Sequence, residues 1–362
     1  MITMTQILQK HPPALSIRAG KLARQLIQSE GLQAEQVDIV PGAAGGPKGI
    51  GIQGLDQAIF GEFFARAPQR RTLIGSSIGS WRFASILAHG AKAGTERLGE
   101  LYTNLYFDKK MQRQEVSDIC RGMLLDLVQG KEAELVNHPD YHLAVLSIKA
   151  QHIFQSDQVL PLLASVAGII GTTAVARKHS RHFMQRVISQ PSNGKQFKVE
   201  DDFLTHYHSL TAANVLPWLI ASASIPGVMA AIRDIPDAPQ GSYRDGGLID
   251  YHIDLPFESQ GIVLYPHFTD SITPGWFDKL FKRHANPENQ ARTLLLSPPQ
   301  DYLQSLPLGR LPDRKDFTLK GLDQKQRIQM WNQCISESQR LGDEFLEMVE
   351  KQQIYKRYIL KK

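Results

Sequence analysis

Cysteine is scarce in this chain of 362 residues, which contains only Cys120 and Cys334. Two distant cysteines cannot build a disulfide framework, and they are too few and too isolated for a zinc site. The composition therefore argues against a secreted scaffold and predicts a protein of the reducing cytoplasm. No acidic cluster has the spacing of a calcium-binding loop. We expect neither a metal requirement nor a cofactor.

A large excess of one charge sign is also missing, because 41 basic residues stand against 36 acidic residues. The surplus lies in short basic segments at 177–182, 279–284 and 356–362, without the interleaved aromatic residues of a nucleic-acid surface. Nucleic acid is therefore not an expected partner. The simplest interpretation of the basic segments is solvated surface. The alternative is attraction to an anionic membrane, to which each nearby Lys or Arg contributes about 1 kcal/mol.

Long apolar runs are rare as well. Residues 1–21 do not predict a signal peptide, because His11, Pro12 and Pro13 interrupt the apolar run that one requires. The segment 159–176 carries no charge over 18 residues, but it contains a proline and two glycines. A membrane-spanning helix needs about 20 apolar residues. The segment therefore predicts a buried helix or a lid, and contact with a membrane interface is the alternative.

Short apolar strands alternate with helical patterns in the first 150 residues. Strands are predicted at 37–42, 71–75 and 141–150, and helices at 51–67 and 78–90. This alternation is typical of a mainly parallel sheet that is covered by helices on both faces. We therefore expect an α/β fold with three layers.

No repeat or low-complexity linker divides the chain, so a single domain over 1–362 is predicted. Within it we expect a helical insertion at about 91–210 and a C-terminal extension at 257–362. The pattern at 17–31 predicts an amphipathic helix. The apolar spacing at 323–353 predicts one long helix that packs on the domain.

A glycine-rich loop, PGAAGGPKGIGIQG, follows the first of these strands at 41–54. Such a loop directs backbone N–H groups toward negative charge. A nucleotide phosphate does not fit, because Gly49 follows Lys48 where a P-loop requires Ser or Thr. The dinucleotide fingerprint also fails, since no acidic residue lies near Ile74, about 20 positions after its match. The remaining interpretation is a loop that stabilises the oxyanion of an acyl transfer.

The stretch GSSIG at 75–79 has the G-x-S-x-G pattern with Ser77 at its centre. A nucleophile in a strained strand-to-helix turn needs small neighbours on both sides, here Gly75 and Gly79. The helix that follows would direct its positive dipole end at the serine, and the N–H of Ile78 is well placed to donate to an oxyanion. An ordinary tight glycine turn explains the pattern equally well on its own.

A nucleophilic serine also needs a base. Asp245 precedes two glycines, which leave its carboxylate unshielded, although a simple turn is the plainer interpretation of Asp-Gly-Gly. The alternative base is a histidine, and His252 or His267 would supply a Ser–His–Asp arrangement.

Four segments in the order GGPKG (45–49), GSSIG (75–79), ASASIPGV (221–228) and DGGLID (245–250) resemble the patatin-like phospholipase family. The resemblance frames 37–256, a little over half of the chain. It is specific because the Ala-Ser-Ala-x-Ile-Pro-Gly stretch has no general catalytic reason to accompany a serine elbow.

The resemblance implies a Ser–Asp dyad hydrolase that uses no catalytic histidine. Ser77 would attack an ester carbonyl and Asp245 would accept its proton, with a pKa that burial raises above the ordinary value of about 3.9. The implied oxyanion hole consists of Gly45, Gly46 and Ile78. Lys48 would shape the glycine loop by bonding to nearby carbonyl groups.

The sequence departs from the family pattern at three positions of that loop. Ala44 replaces a third glycine, and its methyl group would narrow the oxyanion hole or only restrict the φ angle of this residue. Pro47 removes one N–H and stiffens the turn. Lys48 stands where the family usually has arginine, so the planar bidentate fork is lost.

The expected activity is that of a cytoplasmic serine esterase that cleaves fatty-acyl esters, such as phospholipids or lysophospholipids. Peripheral membrane contact is a further expectation, and the oligomeric state is left open. Transacylation and intracellular polyester cleavage use the same chemistry. The alternative from another class is a catalytically silent lipid-binding or membrane-adaptor protein on this fold.

Overall fold

The computed structural model describes residues 12–357, and within them the chain forms one nine-stranded sheet. Most of the N-terminal segment in which we predict no signal peptide, and the end of the basic segment at 356–362, lie outside these residues. The strands are β1 (Ser16–Ala19), β2 (Val37–Gly42), β3 (Arg71–Ser76), β4 (Tyr141–Ala150), β5 (Met184–Gln190), β6 (Thr205–Ser209), β7 (Tyr243–Asp245), β8 (Ile262–Pro266) and β9 (Thr293–Ser297).

Eleven α-helices accompany the sheet in the described part of the chain. They are α1 (Lys21–Glu30), α2 (Gln53–Gln57), α3 (Ile78–His89), α4 (Ala91–Asn104), α5 (Arg113–Val128), α6 (Glu132–Asn137), α7 (Val159–Val175), α8 (Val215–Ala223), α9 (Gln300–Ser305), α10 (Gln324–Glu337) and α11 (Gln339–Glu350). Short 3₁₀ and π turns connect several of them. Most helices share one apolar core on one face of the sheet, whereas α7 packs on the other face.

The sheet is mainly parallel, which confirms the predicted α/β class. Its strand order is β1-β9-β8-β2-β3-β4-β5-β6, with β7 paired to β4. Five of the eight strand pairings within the described residues are parallel. Alternate residues of β4 point to opposite faces, so that Val145 enters the main core and Leu146 a second core that irregular segments cover.

Strand register brings distant parts of the chain together at one edge of the sheet. On β4, Leu146 pairs with Ser76 at the end of β3, and the next residue, Ser147, pairs with Asp245 at the end of β7. The residue after Ser76 and the last residue of β7 therefore meet beside β4, although 168 positions separate them.

The predicted subdivisions of the chain need correction. The segment 91–210, which we expected to be a helical insertion, also contributes β4, β5 and β6. The segment 257–362 is not an appendage, because its strands β8 and β9 lie inside the sheet, between β2 and β1.

Two helix predictions also need correction. The pattern at 17–31 begins as strand β1, which pairs with β9, before α1 starts. The pattern at 323–353 forms α10 and α11, which meet at Ser338. There the Ser338 side chain accepts a hydrogen bond from the Gly54 backbone (2.9 Å), and the helix junction packs so closely that a Cβ on Gly54 would overlap it.

Candidate active site

Ser77 lies in a strained turn between β3 and α3, with φ 55° and ψ −126°. Positive φ is uncommon for a residue with a side chain and costs of order 1–3 kcal/mol, so the surrounding structure must enforce it. Two glycines permit the turn. A Cβ on Gly75 would lie 2.5 Å from the Cα of Ser80, and a Cβ on Gly79 would overlap the carbonyl oxygen of Gly42.

A serine network holds the Ser77 backbone in this geometry. Its N–H donates to Ser222 Oγ (2.8 Å), which donates in turn to the carbonyl of Leu146 (2.6 Å). The hydroxyl of Ser80 donates to the Ser77 carbonyl (2.7 Å). Ser222 belongs to the ASASIPGV stretch and lies near the C-terminal end of α8, so this stretch supports the turn at Ser77. Sequence reasoning assigned Ser222 no role.

The side chains of Ser77 and Asp245 meet. Ser77 Oγ donates to Asp245 Oδ2 at 2.9 Å, and the other carboxylate oxygen accepts the N–H of Gly247 at 2.7 Å. The two side chains are nearly buried, with 2% and 6% of the residue exposed. Burial raises the pKa of Asp245 to about 6, although the nearby Arg314 guanidinium lowers it. A carboxylate with this pKa is ionised at neutral pH and is a stronger base than an exposed aspartate.

Neither candidate histidine forms a hydrogen bond with Ser77. His252 and His267 lie against each other with ring centroids 4.4 Å apart, and both are buried. His252 Nδ1 accepts the N–H of Thr273, and His267 Nδ1 lies 2.9 Å from both the backbone nitrogen and the carbonyl oxygen of Thr269. Burial lowers the pKa of His267 to about 3 and that of His252 well below its usual range. The hydrogen-bonding geometry therefore favours Asp245 over an imidazole as the base.

The glycine loop lies beside the serine. Gly45 lines the same pocket as Ser77, and Gly46 and Ile78 line the neighbouring one. Within residues 12–357, the N–H groups of these three residues have no hydrogen-bond acceptor. Gly46 adopts φ +58°, which favours glycine. The three unpartnered N–H groups therefore provide donors next to the hydroxyl.

The methyl group of Ala44, which we expected to narrow the oxyanion hole or restrict φ, is accommodated across the site. A Cβ on Gly247 would lie 2.7 Å from the methyl group of Ala44, so the Asp-Gly-Gly loop leaves the space that this methyl fills. The N–H of Ala44 donates to the carbonyl of Tyr251 (2.8 Å). The methyl group thus packs on the loop that carries Asp245.

Lys48 has a different partner from the one we expected. Its ammonium lies 3.2 Å from the carboxylate of Asp313, and it bonds to no carbonyl group in the described part of the chain. It also lines the pocket that contains Ser77. Lys48 therefore joins the glycine loop to the C-terminal segment by an ion pair.

Two pockets adjoin Ser77. The first has a volume of about 420 Å³ and is lined by Asp245 and by three cations, Lys48, Lys279 and Arg314. The second, of about 230 Å³, is lined mainly by apolar side chains, among them Trp81 and Met229, and Arg314 borders it as well. We call them the cationic pocket and the apolar pocket. Both include Ser77, so the hydroxyl lies at their junction.

Sequence reasoning missed Lys279 and Arg314, which belong to the segment 257–362. The basic run at 279–284 was visible, but its simplest interpretation was solvated surface. Arg314 carries no local pattern at all, because its place beside Ser77 depends on how the C-terminal segment returns to the sheet. Residues 12–357 contain no group of three or more His, Cys, Asp or Glu side chains that could hold a metal ion.

No family model and no curated protein sequence matches the chain. Among solved structures, the chain is similar to human GIVD cytosolic phospholipase A2, with 11% sequence identity and a TM-score of 0.44. The match covers 96% of this chain and 66% of that one, so the chain spans about two thirds of the length of the human protein.

Proposed function

We propose that this protein is a serine acyl hydrolase in which Ser77 is the nucleophile and Asp245 the general base, as in patatin-like phospholipases. The observation that carries the proposal is the 2.9 Å hydrogen bond from Ser77 Oγ to Asp245 Oδ2, made at a strained strand-to-helix turn. A serine hydroxyl with a buried carboxylate as its partner and two pockets beside it has the parts that covalent ester cleavage requires.

The reaction proceeds in two halves. Ser77 Oγ attacks the ester carbonyl as its proton passes to Asp245, and the N–H groups of Gly45, Gly46 and Ile78 stabilise the oxyanion. Asp245 then returns the proton to the leaving alcohol, which leaves an acyl group on Ser77. Asp245 next takes a proton from water, whose oxygen attacks the acyl carbonyl. Collapse of this second intermediate releases the acid, and the proton held by Asp245 restores the Ser77 hydroxyl.

Fatty-acyl esters are the substrates that the apolar pocket suits best. Its lining of Trp81, Met229 and other apolar side chains offers an acyl chain a surface that excludes water. A transacylase differs from this hydrolase only in that an alcohol, and not water, reaches the acyl-enzyme. A cytoplasmic location agrees with the shortage of cysteine.

Helix α7 suits peripheral contact with a membrane. Its inner face is buried at Leu162 and Ile169, while Leu160 and Leu163 on its outer face are 79% and 60% exposed. The exposed cations Lys178 and Arg181 follow directly, which favours an anionic surface. In the described part of the chain, no helix combines the length and the apolar character needed to cross a bilayer.

A fluorophosphonate probe and a short-chain p-nitrophenyl ester test the proposal together. We expect the wild type to be labelled and to turn over the ester, and Ser77→Ala and Asp245→Asn to lower turnover by at least about a thousandfold. Ser29→Ala and Asp118→Asn alter an exposed serine and an exposed aspartate, and both should retain activity. A folded wild type that neither labels nor turns over, yet binds lipid vesicles, would support the silent lipid-binding protein instead.

A further inference from the structure

Arg314 borders both pockets beside Ser77, whereas the other two cations border the cationic pocket alone. The charges of those two are already limited. Lys48 is paired with the Asp313 carboxylate at 3.2 Å, and burial lowers the pKa of Lys279 to about 7, so that part of it is uncharged at neutral pH. An arginine side chain keeps its charge, and within residues 12–357 Arg314 forms no salt bridge. Arg314 therefore brings an unpaired positive charge to the place where the pockets meet.

The guanidinium of Arg314 lies against the backbone of Gly46. A Cβ on Gly46 would lie 3.0 Å from Nε and 3.3 Å from Nη2 of Arg314, so a side chain there would push the guanidinium away. In the described part of the chain, the N–H of Gly46 is one of the three unpartnered donors next to the Ser77 hydroxyl. The glycine thus lets a cation rest directly beside the oxyanion hole that we propose.

The turn that carries Arg314 is fixed at several points. Asp313, just before it, is ion-paired to the glycine loop. Asp316, two residues after it, is buried and accepts the indole N–H of Trp331 at 3.1 Å. The guanidinium itself donates to the hydroxyl of Tyr102. A donor that is held in place in advance stabilises a developing charge without a cost of reorientation.

The carboxylate of Asp245 lies within the field of this cation. Arg314 lowers the pKa of Asp245 more than the hydrogen bonds from Gly247 and Ser77 do, and more than Lys279 does. In the proposed attack a proton moves to Asp245, and the negative charge moves to the carbonyl oxygen of the ester. Because the guanidinium also packs on the oxyanion loop, it remains close to the charge as the charge moves.

We propose that Arg314 is a further catalytic residue, whose guanidinium donates to the oxyanion of both tetrahedral intermediates together with the N–H groups of Gly45, Gly46 and Ile78. This inference rests on the proposed function. A hydrogen bond from a charged donor is roughly twice as strong as one from a neutral donor, so the guanidinium is the strongest donor of the set. The active site is then complete only when the segment 257–362 has returned to the sheet.

Steady-state kinetics with p-nitrophenyl butyrate, a small neutral ester, test this role. We expect Arg314→Met to lower kcat about a hundredfold and to change KM by less than about threefold, because the lost interaction forms only in the transition state. Arg314→Lys should recover part of kcat, since it keeps the charge but not the planar fork. Lys315→Met removes an exposed cation of the same turn that borders neither pocket, and this matched control should keep the wild-type kinetics. Arg314 is itself exposed, so its variants should fold, which circular dichroism checks.

The pH profile separates a catalytic guanidinium from a structural one. The acid limb of kcat/KM reports the base of the free enzyme, and for the wild type it should lie near the Asp245 pKa of about 6. Arg314→Met should move this limb to higher pH, because a nearby cation favours the carboxylate and its loss raises the pKa. Tyr102→Phe removes the hydrogen bond to the guanidinium but no charge. It should leave the limb in place and lower kcat less than Arg314→Met does.

Butylboronic acid tests the oxyanion contact without turnover. Ser77 Oγ adds to the boron as its proton passes to Asp245, and the tetrahedral boronate that results is negatively charged like the intermediate. Calorimetry should show about hundredfold weaker binding to Arg314→Met than to the wild type, and no binding to Ser77→Ala. Binding that depends on Arg314, in a wild type that turns over no ester, supports the inference while the proposed reaction fails.

Two results would overturn the inference and leave the hydrolase intact. One is a wild-type kcat in Arg314→Met, and the other is a loss confined to KM, which would make the guanidinium a substrate-binding group only. A wild type that neither turns over the ester nor binds the boronic acid overturns both proposals.

Discussion

The two parts of the site are held in place in different ways. Ser77 and Asp245 belong to the segment 37–256, and their surroundings are backbones that approach so closely that only glycine fits, as at Gly79. Lys279 and Arg314 belong to the segment 257–362 and are held by side chains. Lys279 lies over the ring of Tyr251, and the guanidinium of Arg314 bonds to the hydroxyl of Tyr102.

This difference indicates which part can vary. Backbone packing admits no gradual change, so the reacting groups either keep their geometry or lose it. Side-chain contacts in a pocket wall can be exchanged one at a time. We therefore expect changes near Ser77 to impair all substrates alike, and changes in the C-terminal wall other than at Arg314 to alter which substrate is preferred.

The largest effect is expected from Gly79→Ala, which disturbs the backbone packing around Ser77. The new methyl group would overlap the carbonyl oxygen of Gly42, where β2 passes the start of α3, and neither backbone can move without disturbing the turn at Ser77. We expect the free energy of unfolding to fall by about 3 kcal/mol or more, and activity to be lost. Urea denaturation followed by circular dichroism measures the change.

Gly122→Ala is the matched control. Gly122 lies inside α5, and a Cβ there would meet no atom within 4 Å. Alanine is the better helix former, so this variant should gain about 0.5–1 kcal/mol. Equal stability of the two variants would show that the close approach at Gly79 does not hold the turn.

A smaller effect on the free energy of unfolding is expected from Asp245→Asn, which should stabilise the protein and not destabilise it. Burial raises the pKa of Asp245 from 3.8 to about 6. Between these values the unfolded chain loses its proton while the folded protein keeps it, so this residue makes stability fall as pH rises. Asp245→Asn should therefore be more stable than the wild type by about 2 kcal/mol at pH 8 and no more stable at pH 4, while it is inactive at both.

Denaturation midpoints at the two pH values measure this difference. Asp118→Asn, which alters an exposed carboxylate, should show no such dependence on pH. A variant that is destabilised at pH 8 would mean that the hydrogen bonds of Asp245 to Ser77 and Gly247 outweigh the cost of burying its charge. The Asp245 carboxylate would then stabilise the site. Only the glycines would then distinguish the surroundings of Ser77 from the C-terminal segment that carries Lys279 and Arg314.

Sequence reasoning succeeded where the requirement is local. Gly75 and Gly79 flank Ser77 because the turn itself demands small residues, and this demand is visible in five letters of sequence. The place of Ser77 next to Asp245 followed from a resemblance, since no local rule links residues that meet only through their pairing with β4. The compensation between Ala44 and Gly247 has the same origin and was equally invisible.

The C-terminal segment could not be predicted in this way. Its apolar runs at 261–268 and 291–299 contain β8 and β9, but the order of strands in the sheet is a property of the whole chain. Lys279 and Arg314 enter the site only because β8 pairs with β2 and β9 pairs with β8, which returns the C-terminal segment to the sheet. A charged residue looks the same in sequence whether it is solvated or directed into a pocket.

The smallest expected effect concerns α7, whose residue Val166 lines the cationic pocket while its outer face is exposed. If this face contacts a membrane, Leu160→Asp removes apolar contact and adds charge repelled by anionic lipid, so vesicle binding should weaken about tenfold. Co-sedimentation with anionic and with zwitterionic vesicles measures this, and the wild type should prefer the anionic ones. Leu22→Asp, which alters an exposed leucine on α1, is the control and should bind as the wild type does. Equal weakening by both variants would mean that general surface charge, and not the α7 face, governs binding, and the substrate would then have to reach Ser77 from solution.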